Sequence, residues 1–200
     1  MNEPYNRPFA QSAEENKQAI LQALRPYLKG RVLEIGSGTG QHAVYFASQM
    51  PQLHWQTSDL ESSHAGIHAW IEAAGLDNLS PPLLLDVLDS WPAELYDTVY
   101  TANTFHIMDD NAVARCIEGC GACLQPQGHL AVYGPFNYEG QFTSDSNARF
   151  DAMLKSTGQG GGIKDFEWLD TLAQAAGMTL EADIEMPANN RSLIWKKRTL

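Results

Sequence analysis

Apolar residues along this chain follow two alternating rhythms. From Glu14 to Leu28, the residues Ala19, Ile20, Leu24, Tyr27 and Leu28 recur at helical spacing, and Ser12 followed by Glu15 predicts a capped helix start. Arg31–Ile35 is a short apolar run that predicts a buried strand, and Gln41–Gln49, stopped before Pro51, predicts the helix it feeds. The alternation continues with a strand at His54–Ser58, a helix at about Ser63–Ala74 and a strand at Pro82–Leu85. After a loop through Trp91 and Pro92 come a strand at Thr98–Ala102, a helix over Asp110–Leu124 and a strand in "LAVYGP". A helix at Phe166–Ala176 and a strand at Leu180–Glu185 follow.

Strands alternating with helices predict a mostly parallel sheet covered on both faces. The end of the chain breaks the rhythm: "IEMPANNRSLIWKK" joins two strand-like runs through a few Pro- and Asn-rich residues. So short a link cannot make a parallel crossover, and the last strand is predicted to run antiparallel in a hairpin. An α/β protein with a seven-stranded sheet, parallel but for its C-terminal strand, resembles the Rossmann-like class I methyltransferase fold more than the common dinucleotide-binding fold. The 200 residues suit a single domain, within which residues 134–165 read as an insertion able to fold over the sheet as a lid.

Candidate chemistry begins in "VLEIGSGTGQHAVYFA". Gly36, Gly38 and Gly40 fall in a turn between strand and helix, where the missing Cβ atoms let a ligand approach main-chain N–H groups. A dinucleotide fingerprint asks for its third glycine at position 41, which is Gln41. Glu34, just before the turn, would oppose a pyrophosphate but suits an ammonium or sulfonium, so charge favours S-adenosyl-L-methionine as cofactor. Asp59, beside Leu60 at the end of the second strand, can accept both hydroxyls of a ribose, a feature either cofactor would use. Asp86 in "LLLDV" either reaches an adenine amino group while Val87 packs on the ring, or is a surface carboxylate.

Composition narrows the partners. With 44% hydrophobic and 18% charged residues the chain reads as globular, and its net charge of -11 opposes nucleic acid or an anionic membrane as partner. The one basic cluster, Lys196–Arg198, reads as a solvated strand end. "MNEPYNRPFAQSAEENK" lacks the apolar core of a secretion signal, and no later segment is apolar for long enough to span a bilayer, which predicts a cytoplasmic protein. Cys116, Cys120 and Cys123 have a spacing reminiscent of iron–sulfur ligands. They also recur with Val113, Ile117 and Leu124 on one helix face, which predicts core residues and no metal site.

The segments "EENKQAI", "VLEIGSGTGQHAVYFA", "SDLE", "LLLDV", "NTFHI", "YGPF", "SNARFD", "IKDFEWL" and "MPANN" together resemble a family of small class I methyltransferase-like proteins, long catalogued as a domain of unknown function. The resemblance covers nearly the whole chain. It implies that Glu34, Gly36, Ser37, Gly38, Gly40, Asp59, Asp86 and Asn103 line an S-adenosylmethionine site. One departure is "GQGGG", Gly158–Gly162, where the family tends to carry an acidic residue and a tryptophan before "GIKD". That substitution predicts a looser loop.

Ligands of an open α/β sheet sit at the carboxyl ends of its strands, where "ANTFHIMDD", "YGPFNYEGQF" and "MPANN" converge. Methyl transfer from a sulfonium releases a neutral leaving group, so alignment and exclusion of water carry much of the catalysis. Where a base is needed His106 is the candidate, the alternative being a hydrogen bond to main chain. Tyr133 and Tyr138 can orient a substrate or simply pack, and with Phe142 they are expected to wall the pocket. Asn189 and Asn190 either shape the hairpin turn or read a polar substrate. His42 either contacts the methionine moiety or plays no part, and Tyr5 and Asn16 are placed over the same face. "ANTF" lacks the prolines of nucleobase amino-methylating enzymes, which with the acidic charge points to a small-molecule acceptor. The competing readings are a non-catalytic S-adenosylmethionine-binding protein and, against Glu34, Gln41 and the hairpin, a nicotinamide oxidoreductase. Oligomeric state is left open.

Overall fold

The strand Arg31–Ile35 (β1) sends Leu33 and Ile35 into one hydrophobic layer and Val32 into another. Glu34, two residues on from Val32, shares the second face by the period-two geometry of a strand. A computed structural model describes residues 7–199 of the chain. Around β1 it places a seven-stranded sheet in which β1 pairs in parallel with β2 (His54–Asp59) and β4 (Tyr96–Ala102). Outward on one side lies the edge strand β3 (Leu79–Leu84). On the other lie β5 (Leu124–Gly134), then β9 (Asn190–Lys197), then β8 (Met178–Met186).

The expected class I methyltransferase architecture is the one observed. β9 is antiparallel to both its neighbours, β5 and β8. It lies inside the sheet because Leu193, Ile194 and Trp195 are fully buried, an unbroken apolar run that needs cover on both faces. β3 begins at Leu79 rather than Pro82, and its Pro81 and Pro82 are tolerated because they fall on an edge strand at the register shift in its pairing with β2, so that one missing donor faces the open edge and the other the irregularity.

Two layers of helices cover the sheet. α1 (Gln11–Leu24), α2 (Gln41–Gln49) and α3 (Glu61–Ala74) precede β1, β2 and β3. Ile20, Leu24, Phe46 and Ala47 from α1 and α2 pack with Val32, Trp55, Tyr100 and Ile194. α4 (Asp110–Cys123) and α6 (Phe166–Ala175) supply Val113, Ile117, Leu169 and Ala173 to the other layer. Cys116, Cys120 and Cys123 are in that layer too, buried and unbridged, and burial pushes the Cys123 thiol up to about 12. They are small core residues, as the helical spacing implied.

Both ends of α1 also differ from expectation. α1 starts at Gln11, its flanking residue being Ala10, whose N–H donates to Gln41 Oε1 at 2.6 Å. A contact from a distant helix thus sets the start, and Ser12 lies inside the helix. The helix stops at Leu24 because Pro26 follows and cannot continue the hydrogen-bond ladder.

The 134–165 insertion contains a two-residue strand β6 (Phe136–Asn137), a helix α5 (Asp145–Ser156) and a strand β7 (Lys164–Asp165) that pairs with β6. Sequence periodicity missed α5, although its start is signalled by Ser144, whose hydroxyl accepts from Asn147 N at 3.1 Å. Among the described residues no helix is long and apolar enough to cross a membrane.

Candidate active site

The strand order reverses direction between β1 and β4, which opens a crevice at their carboxyl ends. The glycine turn after β1 enters it. Gly36 and Gly38 have φ of 67° and 58°, a left-handed conformation that a residue with a Cβ adopts only with strain. Gly36 also has no room for a Cβ, which would stand 2.7 Å from Thr104 Cγ2. The turn is stitched to β2: Ser37 N donates to Ser58 O at 2.9 Å, Ser58 N to Ser37 Oγ at 3.1 Å, and Gly38 N to Asp59 Oδ2 at 2.7 Å.

Glu34 lies beneath this turn, 2% exposed. Its Oε2 accepts from Ser37 Oγ at 2.9 Å and from Trp55 Nε1 at 3.1 Å, and no described residue bonds the other oxygen. Burial raises its carboxyl to about 7, against the pull of those two donors, and the neighbouring Asp59 charge adds to the rise. A cation brought to the partnerless oxygen would stabilise the ionised form.

Nine of the ten positions expected to bind a cofactor border one cavity of about 530 Å³: Glu34, Gly36, Ser37, Gly38, Asp59, Leu60, Asp86, Val87 and Asn103. Gly40 is the exception; with φ 89° it opens α2, and a Cβ there would press on Ile67 Cα at 3.3 Å. It shapes the turn from behind. Asp59 Oδ1 is taken up by Leu60 N at 2.7 Å, and Asp86 Oδ1 by Leu88 N at 3.0 Å. Met108 and Ile107, on the loop after β4, also border this cavity; neither was singled out in the sequence because isolated apolar loop residues carry no periodic signal.

A second cavity adjoins the first, and Ser12 and Asn103 border both. Asn16, His106, Tyr133 and Asn190 line it, joined by Asn147 and Phe150 from α5, which the sequence reading did not place. Asn103 turns the corner between the cavities with φ 59°, and its N–H donates to Tyr133 O at 2.9 Å. His106 is buried against Phe150, ring centroids 5.1 Å apart, and no described residue bonds its ring nitrogens. Burial, then the Lys164 charge, lower His106 to about 4, so the ring is neutral at pH 7. Burial raises the Tyr133 phenol, opposed by the Asn16 and Asn190 side chains that face its hydroxyl.

A family model described as a protein of unknown function, DUF938, matches residues 7–197. The chain belongs to the DUF938 family. Solved structures share the fold of this DUF938 chain at low sequence identity. An O-methyltransferase family protein from Burkholderia thailandensis is 17% identical with TM-score 0.77, over 94% of this chain and 60% of that one. The S-adenosylmethionine-dependent methyltransferase SibL, in its apo form, is 18% identical with TM-score 0.81, over 94% and 56%. CalO1, a methyltransferase in calicheamicin biosynthesis in its SAH-bound form, is 18% identical with TM-score 0.76, over 94% and 54%. The DUF938 chain therefore has a methyltransferase fold and spans little more than half the length of these proteins.

Several expected contacts lie elsewhere in the DUF938 structure. Tyr138 borders neither cavity: its hydroxyl donates to Asp183 Oδ2 at 2.8 Å and its ring stacks on Phe166 at 5.4 Å, so it ties the insertion to β8. Phe142 is 41% exposed and does not wall either cavity; α5 does so in its place. Asn189 lies at the hairpin tip with φ 57°, its carbonyl accepting from Asn147 Nδ2 at 3.1 Å, which makes it a turn residue that braces α5. His42, by contrast, borders the first cavity, the one lined by the expected cofactor residues. Tyr5 lies outside the described residues. The Gly158–Gly162 loop, expected to be loose, is held: Gly162 N donates to His106 O at 2.9 Å and Ile163 N to Asp151 Oδ1 at 2.9 Å. At Gly161 a Cβ would stand 2.9 Å from His106 O, so glycine permits the loop to lie against the strand-end segment carrying His106.

Proposed function

We propose that the chain is an S-adenosylmethionine-dependent methyltransferase whose acceptor is a small molecule. The observation that carries this reading is Glu34, a buried carboxylate with one oxygen anchored and the other without a described partner, in a cavity bordered by the glycine turn. A cationic ligand suits that carboxylate, whereas the two negative charges of a pyrophosphate would meet Glu34 at close range.

The residues present fit such a cofactor. Glu34 would face its ammonium or sulfonium end, Asp59 its ribose, and Asp86 with Val87 its base, around a volume of about 530 Å³ that suits a ligand of this size. When bound, S-adenosylmethionine supplies an electrophilic methyl group on a sulfonium.

The second cavity would hold the acceptor, with Asn103 at the passage between the two. Tyr133, Asn16 and Asn190 offer hydrogen bonds that fix its orientation, and Phe150 covers it. His106, neutral at pH 7, has a ring nitrogen able to accept a proton as the nucleophile becomes acidic during attack. With Asn103 at the junction of the two cavities, acceptor and methyl donor would meet there in the alignment that an in-line displacement needs.

The test is calorimetry with S-adenosylmethionine, S-adenosylhomocysteine and NADH, followed by a screen of small acceptors for labelled-methyl incorporation. Binding of the two sulfur compounds with turnover on an acceptor is the expected result. Binding of NADH alone overturns the reading, and sulfur-ligand binding without turnover across the screen makes the chain a binding protein.

A further inference from the structure

His42 connects the two cavities. Its ring borders the first, is 8% exposed and stacks on Phe46 with centroids 5.4 Å apart. Nδ1 lies 3.1 Å from the Tyr100 hydroxyl, and Nε2 lies 2.8 Å from Asn16 Oδ1. Asn16 in turn borders the second cavity.

The hydrogen-bond directions along this chain of groups follow from burial. Tyr100 is fully buried, and no described residue other than His42 bonds its hydroxyl. Burial holds the phenol well above its ordinary range, so it keeps its proton and needs an acceptor for it. His42 Nδ1 is that acceptor, which leaves the single proton of the neutral ring on Nε2. The Nε2–H group then faces α1, where the Asn16 amide oxygen, which can only accept, receives it at 2.8 Å. Reversing the order would leave the Tyr100 proton unpaired in the core. With its oxygen drawn to His42, the Asn16 amide has its NH2 group left for the acceptor cavity and Tyr133.

We infer that His42 is a positioning residue: the series Tyr100–His42–Asn16 holds the Asn16 amide with its N–H donors toward the acceptor cavity, which selects an acceptor bearing a lone-pair atom, such as a carbonyl oxygen, at that edge. The identification of this cavity as the acceptor's rests on the methyltransferase reading above. The ring direction does not.

The experiment is nitrogen-15 NMR of the full chain. Two-bond proton–nitrogen correlations are expected to show His42 as the Nε2–H form between pH 6 and 8; the Nδ1–H form or an even mixture overturns the inference. With S-adenosylhomocysteine bound, acetophenone is expected to shift the Asn16 side-chain amide signals, while ethylbenzene, alike in shape but without the oxygen, is not. Asn16→Asp, which keeps the size but presents only acceptors, is expected to weaken acetophenone at least fivefold while leaving S-adenosylhomocysteine affinity within threefold. Equal responses to the two probes, a response to neither, or unchanged acetophenone affinity in Asn16→Asp overturns the selection role. Failure of the wild-type chain to bind S-adenosylhomocysteine overturns the functional reading alone, because the His42 correlation is read without it.

Discussion

The Asp59 carboxylate accepts the Gly38 main-chain N–H at 2.7 Å, so the end of β2 holds the middle of the glycine turn that follows β1. Its second oxygen accepts Leu60 N at 2.7 Å, which fixes the plane of the carboxylate at the cavity wall. The group that would read a ribose is thus oriented before any ligand arrives. A charge-assisted bond of this kind contributes more than a neutral one, because the ionised acceptor draws the N–H dipole strongly.

Asp59→Ala should therefore weaken S-adenosylhomocysteine binding at least tenfold, about 1.5–3 kcal/mol for loss of bonds to a charged group. Asp59→Asn, which retains one acceptor, should fall between it and the wild type. Isothermal calorimetry decides: an unchanged Kd in Asp59→Ala would remove this carboxylate from the site.

Glu34 should make cofactor binding depend on pH. Its carboxyl is raised to about 7 and must ionise to attract a cation, so affinity should rise with pH up to about 7 and level off above it. Below 7 the slope should approach tenfold per pH unit, with one proton released on binding, measurable in buffers of differing ionisation heat. Glu34→Gln should bind more weakly and show no such slope.

The two glycines of the turn should fail in different ways. Gly36→Ala meets both a positive φ and Thr104, so it should lower thermal stability, by about 1–3 kcal/mol. Gly38→Ala has no described atom within 4 Å of its Cβ, so its strain alone should cost about 1 kcal/mol. Gly38 borders the cavity, so binding should suffer more than folding. Equal losses of melting temperature and affinity in the two variants would contradict this distinction.

Stability should fall on acidification through the two buried histidines. His42 and His106, both lowered to about 4 by burial, remain neutral in the folded chain while the unfolded chain takes up protons below its ordinary histidine value near 6.5. Stability is thus whole above about 6.5 and is lost as pH falls toward 4, by about 3 kcal/mol per histidine at the end of that window. Glu34 acts in the opposite sense, since its raised carboxyl holds a proton in the folded chain between 4.5 and about 7, so stability falls there as pH rises. His106→Asn should reduce the acid loss seen in urea titrations at pH 5 and 7, and Glu34→Gln should enlarge it.

Much of this was legible in the order of residues. The run "VLEI" followed by alternating glycines determines a buried strand, a left-handed turn and a helix start within one short segment, because each depends on local backbone chemistry. Glu34 before the turn and Asp59 at the next strand's end could be placed at one cavity because strand period and parallel pairing leave few other arrangements. The cysteine helix was legible for the same reason: three- and four-residue spacing states which face is buried.

Tertiary structure alone decided the acceptor side. Asn147 and Phe150 reach the second cavity because α5 is laid across the sheet by contacts from the hairpin tip, including Asn147 Nδ2 to Asn189 O at 3.1 Å, residues 42 apart in sequence. Tyr138, three residues beyond a cavity wall in the chain, is drawn away by Asp183 on β8, and His42 finds Asn16 and Tyr100 only when α1 and β4 close around α2. Such contacts join segments distant along the chain, and the periodicity of hydrophobic residues, which records only what lies three or four positions away, carries no trace of them.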